Sequence, residues 1–107
     1  MFQIVVFVNV DKSNQVKEAM FTSGAGAIGE YENCCFESLG TGQFRPLEKA
    51  NPYLGKSGEI EKVSEVRLEM VCAKENLKST IEAMLKAHPY ETPAYYVIPH
   101  YDWNKIQ

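Results

Sequence analysis

An α+β fold, a βαββαβ ferredoxin-like sandwich carrying an extra hairpin, is predicted by three observations. Two segments rich in strand-forming residues are each followed by a segment with helical spacing. Each of those leads into a further extended segment, and a stretch dense in glycine and proline separates the two halves. With 107 residues, 45% of them hydrophobic, the chain suits one domain over 1–107 with a modest core.

The first strand is expected over residues 2–10, FQIVVFVNV, where β-branched and aromatic side chains fit a covered pleated surface. In DKSNQVKEAM, Asp11 and Ser13 offer oxygens to free helix N–H groups, and Val16, Ala19 and Met20 share one face. This helix should stop at GAGAIG, because Gly24, Gly26 and Gly29 permit conformations that helix interiors penalise. YENCCFESL then reads as a strand. In the second half SEVRLEMVCA alternates, with Val66, Leu68, Met70 and Cys72 on one face and Arg67, Glu69 and Val71 on the other. KENLKSTIEAMLKAH carries a helical stripe of Leu77, Ile81, Met84, Leu85 and His88, and AYYVIPH closes the sheet. KEAM at 17–20 and IEAM at 81–84 echo one another, in keeping with two related units. Between the halves, Gly40 and Gly42 predict a tight reversal that returns QFRPL as a short strand against CCFESL, while Asn51-Pro52 marks a surface loop.

Composition narrows the function. Eleven basic residues against 14 acidic ones give a net charge of −3, and the basic residues are scattered, which argues against nucleic acid. No apolar run reaches the roughly 18–20 residues that would span a bilayer, and the start lacks a basic n-region and a cleavage site. A soluble cytoplasmic protein without a membrane role is expected. Three cysteines, two of them adjacent, suit a reducing compartment better than a disulfide framework.

The stretch that invites chemistry is HPYETPAY, residues 88–95. Pro89 disfavours helical geometry at His88, and Thr92-Pro93 biases the chain to extension, so a bend is explained without any site. The choice of His88, Tyr90 and Glu91 is not. Imidazole titrates near neutral pH and ligates metals, and a carboxylate three residues on could join it. In the structural alternative, Glu91 accepts backbone N–H bonds and His88 bonds a carbonyl across the turn. In GAGAIGEY, Gly24 and Gly26 invite a phosphate-cradle reading, but the segment ends a helix rather than starting one and lacks a Walker lysine. Cys34 and Cys35, as neighbours on a strand, should face opposite sides and cannot together clasp one metal. Cys34 is either a small buried hydrophobe or a ligating thiol, Cys72 is core, and His100 is a surface residue.

The string GAGAIGEYENCCFESLGTGQFRPLEKANPYLGKSGEIEKVSEVRLEMVC, followed after the helix by HPYETPAY, resembles the inserted domain of the YqfO-type, NGG-interacting-factor-like family. That insert is similar in fold to CutA and to PII signalling proteins. In larger members the insert interrupts another domain bearing a dinuclear metal site of His and acidic residues; the resemblance implies the insert standing alone here, and His88 and His100 are too few to rebuild such a site. Cys34 matches the family position and Cys35 departs from it.

Two functional classes follow. One is a noncatalytic, oligomeric module binding a protein partner or small effector; the other is a metal-binding or catalytic protein using Cys34, His88 and Glu91 around a divalent metal. The CutA and PII resemblance implies a homotrimer with packed sheets, which would cover Val5, Phe7 and Val71 on the face away from the helices. The two helices are expected to run roughly parallel, which would bring Tyr31 or Cys34 to the same end of the sandwich as His88 and Glu91, within one subunit or across a trimer interface.

Overall fold

A computed structural model describes residues 1–101 and 103–106. The chain runs β1 (Phe2–Asn9), a 3-10 turn (Val10–Lys12), α1 (Ser13–Thr22), β2 (Phe36–Phe44), β3 (Glu61–Cys72), α2 (Lys74–Ala87), β4 (Tyr95–Pro99) and a short α3 (Trp103–Ile106). The strands form one antiparallel sheet in the order β2-β3-β1-β4, the ferredoxin-like arrangement, with α1 and α2 packed together on one face.

Alternation decides which face is buried. Ile4, Val6 and Val8 from β1 and Val66, Leu68, Met70 and Cys72 from β3 meet Val16 and Met20 of α1 and Met84 of α2 in one core. The helix stripe expected in α2 is shifted in part: Leu85 is 40% exposed, whereas Thr80 is fully buried and accepts the Cys72 Sγ–H at 3.6 Å. On the opposite face Val5 is already sealed within the chain, at 0% exposure, between its cross-strand neighbours Glu69 and Tyr96. Phe7 and Val71 are half-buried there.

The end of α1 follows the glycines. Gly24 has φ +105, its N–H reaches Phe21 O, and the Ala25 N–H reaches back to Met20 O, a Schellman stop that satisfies the last carbonyls. The start of α1 differs from expectation. No side chain caps it; the 3-10 turn comes first, and the Ser13 hydroxyl donates to Val10 O instead of accepting a helix N–H. At the other helix, Pro89 leaves His88 extended at φ −74, ψ 131, with the His88 N–H closing the final turn on Met84 O.

The extra hairpin is built differently from the expected reversal. Gly40 and Gly42 lie inside a continuous β2, which pairs with β3 from Phe36↔Glu69 to Phe44↔Glu61. Because β1 leaves β3 at Asn9↔Glu65, the far half of β2 and β3 projects as a two-stranded ribbon, and the turn falls in the loop 45–60. The extents of 51 × 25 × 24 Å reflect that projection.

The helices are antiparallel. Each returns from one of two antiparallel strands, so α1 ends where α2 begins: a Cβ on Gly24 would meet the Asn76 side chain at 2.7 Å, while Gln15 at the start of α1 donates to Ala87 O at the end of α2 at 2.7 Å. The helix exits therefore lie at opposite ends of the sheet.

Candidate functional site

His88 completes the edge of a strand. β4 pairs with β1 only as far as Val6↔Tyr95; beyond it the Phe7 N–H still reaches Ala94 O, and the Phe7 carbonyl accepts from His88 Nε2 at 2.7 Å. The other ring nitrogen, Nδ1, accepts the Tyr90 N–H at 3.2 Å. This pairing assigns the neutral tautomer protonated on Nε2. Burial holds the His88 pKa below its ordinary value, against a smaller opposing pull from the Phe7 carbonyl and Glu65. With both nitrogens on backbone groups, His88 has no lone pair left for a metal.

Glu91 Oε1 accepts the Asn51 N–H at 2.9 Å, tying the loop 45–60 to the HPYE turn. The Tyr90 hydroxyl donates to Glu65 Oε2 at 2.6 Å, and burial, followed by that carboxylate, pushes its pKa well above the phenol range. Tyr90 also packs beside His88 and Tyr53, at ring distances of 4.7 and 6.3 Å.

These contacts form the inner wall of a cleft of about 750 Å³ between the loop 45–60 and the sheet face that carries no helices. Phe7, Glu65 and Tyr96 come from the sheet, Phe44 and Pro46 from the ribbon's end, Tyr53 and Leu54 from the loop, and Tyr90 and Glu91 from the bend. Tyr96 stands edge-on to Phe7 at 6.0 Å, and the Arg67 guanidinium lies 5.8 Å from the Phe7 ring centre. Gly42 makes room for the acid: a Cβ there would fall 2.0 Å from Glu65 Oε1. Glu65, Phe7, Phe44, Tyr53 and Tyr96 were not singled out by sequence reading. The available signal was Glu65 in the alternation of β3, paired across β2 with a glycine-rich segment.

The other candidates lie elsewhere. Gly26 donates its N–H to Val71 O at 2.8 Å and accepts the Cys34 N–H at 2.9 Å, so its backbone is committed and cradles no phosphate. The Gly24 N–H is spent on the helix stop. Tyr31 is 75% exposed beyond a small bridge to Ile28. Cys34 and Cys35 precede β2 rather than lying on it, after Asn33 at φ 57; both line one groove of about 550 Å³ with Gln3 and Val71, and Cys35 also packs against the core. Burial raises the Cys35 pKa. Val71 pairs with Gln3, four residues before Phe7, which places Cys34 about 13 Å along β1 from the His88 contact at ~3.3 Å per residue. The trio Cys34, His88 and Glu91 is not brought together, and among the described residues no three His, Cys, Asp or Glu side chains are grouped to hold a metal. The shared-end pocket fails because the helices are antiparallel.

Comparison with known proteins places the chain. It is 47% identical over 97 residues to a GTP cyclohydrolase 1 type 2 homolog of Bacillus subtilis, a match covering 91% of this chain and 26% of that protein. A solved Bacillus cereus protein related to NIF3 superposes with a TM-score of 0.81 at 40% identity, over 94% of this chain and 26% of that one. The chain is a homologue of the CutA-like insert of the YqfO/NIF3 family. This NIF3-type insert homologue spans about a quarter of the length of the curated relatives it matches. It also shares the fold of the periplasmic divalent cation tolerance protein CutA from Archaeoglobus fulgidus, with a TM-score of 0.66 at 16% identity over 94% of this chain and 84% of CutA. No protein-family model matches it.

Proposed function

We propose that this NIF3-type insert homologue is a noncatalytic, self-associating module that takes a small effector into the cleft beneath the loop 45–60. The observation that carries the reading is the cleft itself, which gathers aromatic walls and the Glu65 carboxylate under a loop tethered by Glu91. It has the concave, mainly apolar form of a small-molecule site with a few convergent polar groups. No hydrolase or transferase chemistry is assigned to it: Tyr90 is held protonated, and His88 is bonded on both nitrogens to backbone, so neither is poised as a base. The GTP cyclohydrolase name of the relatives belongs to proteins of which this chain matches about a quarter.

A divalent metal on Cys34, His88 and Glu91 does not fit these residues, given the committed nitrogens and the separation along β1. Self-association is supported by the sheet's two outer strands. β2 exposes Phe36 and Leu39 at 67 and 75%, and β4 exposes Tyr96, Val97 and Ile98. Two different free edges favour head-to-tail pairing, which closes into a ring, and a trimer is the ring the CutA likeness favours. The three free thiols accord with a cytoplasmic setting.

The test is a thermal-shift and calorimetric screen of small molecules against the wild type and Tyr53→Leu. Saturable binding that the substitution weakens is expected. Absence of any binder across anionic, cationic and neutral classes would reject the effector role.

A further inference from the structure

The cleft's sheet floor points to the charge of its occupant. Glu65 lines it, with Oε2 accepting the Tyr90 hydroxyl at 2.6 Å, so a carboxylate stands among aromatic side chains. A carboxylate in such surroundings is costly without a further donor, and the donor that suits it best also carries positive charge. The walls favour the same charge, since Phe7, Tyr53, Tyr90 and Tyr96 line the cleft with aromatic rings of the kind that attract cations, and the Arg67 guanidinium already lies 5.8 Å from the Phe7 ring centre. Of the competing positive charges, Arg67 on β3 is paired with Glu69 at 3.5 Å and the others are on the loop. Arg45 is engaged there, its Nε donating to Gly58 O at 3.0 Å, and Lys49 belongs to the same outer wall. Glu91 is partly spent on Asn51, which leaves Glu65 as the principal anion of the sheet floor.

We propose that the cleft binds a small organic monocation bearing N–H donors, an alkylammonium or amidinium group, with its charged head toward Glu65 and its apolar part between the aromatic rings. The head would share the Glu65 carboxylate with the Tyr90 hydroxyl. This deepens the effector reading and rests on it.

Isothermal titration with benzylammonium, benzamidinium and the neutral counterpart benzyl alcohol tests the assignment on the full chain. The two cations are expected to bind saturably and benzyl alcohol at least tenfold more weakly. Glu65→Gln keeps an acceptor for Tyr90 but removes the charge, and should lower cation affinity at least tenfold; Glu75→Gln, on the first turn of α2, should leave it unchanged. A melting curve for Glu65→Gln close to that of the wild type confirms that a lost affinity is not lost folding; should that variant melt early, Tyr53→Leu, expected to weaken the cations at least fivefold, takes its place. Equal affinity for benzyl alcohol, unchanged affinity in a folded Glu65→Gln, or no saturable binding of either cation overturns the proposal. If the cations fail while an anionic or neutral compound shows binding sensitive to Tyr53→Leu, the cation assignment falls and the effector reading stands. If nothing binds, both fall.

Discussion

His88 acts as a missing piece of sheet. Where β4 stops pairing with β1, its Nε2–H takes over as donor to the Phe7 carbonyl, and its Nδ1 receives the Tyr90 N–H. Replacing it with alanine orphans two backbone groups at a buried position, so His88→Ala should lower unfolding free energy by about 1–3 kcal/mol, read by urea denaturation. An unchanged midpoint would show that water replaces both bonds without loss. The same geometry sets a pH dependence. The folded pKa lies below the ordinary 6.5, so between the two values the unfolded chain binds more protons than the folded one. The stabilisation is complete above about pH 6.5 and is lost as pH falls through the folded pKa. Denaturation midpoints should therefore fall on acidification below that value, and that part of the slope should vanish in His88→Ala.

At the scale of elements, two connections matter. The exit from α1 passes Gly26, at φ +81, where an added Cβ would fall 2.8 Å from the Cys34 backbone oxygen. Neither the backbone conformation nor the rigid neighbour can yield cheaply. Gly26→Ala should cost on the order of 1–3 kcal/mol and disturb the two-cysteine groove, visible as faster thiol labelling of Cys34 and Cys35. The loop 45–60, by contrast, is anchored to the bend by Glu91 through a single surface bond to Asn51. Glu91→Ala should change global stability by under about 1 kcal/mol, since the bond is exposed, yet speed hydrogen exchange at the Asn51 amide. Unchanged exchange there would mean that the loop holds its place by packing alone, through buried Pro46 and the ring contact of Tyr53 with Tyr90.

For the whole molecule, the issue is what covers the free margins of a four-stranded sheet. Val5 is sealed within one chain, so assembly is not needed to bury it; the outer strands still expose apolar residues, with Ile98 of β4 at 43% and Phe36 of β2 at 67%. If β4 lies in an interface between copies, Ile98→Glu should lower the mass found by light scattering toward one chain, while circular dichroism keeps the wild-type spectrum. A wild type already at monomer mass at micromolar concentration would end the self-association reading.

The order of elements was legible in the sequence because local rules govern it: alternation in β1 and β3, the glycine stop after α1, and the proline that halts α2 at His88. Those same rules could not see how distant segments meet. Gly40 and Gly42 carry a turn signal, yet pairing with the long β3 kept β2 straight through both, because the ladder hydrogen bonds outweigh a local preference to bend. The echo between the halves made the helix exits look equivalent, whereas antiparallel β1 and β3 send them to opposite ends and separate Cys34 from His88. Local chain chemistry suffices to bend HPYETPAY and to turn His88 inward. It takes the pairing of distant strands to commit both its nitrogens to the backbone and to bring Tyr90 and Glu65, 25 positions apart, together on the cleft floor. That choice depends on strand register, which spacing along the chain does not encode.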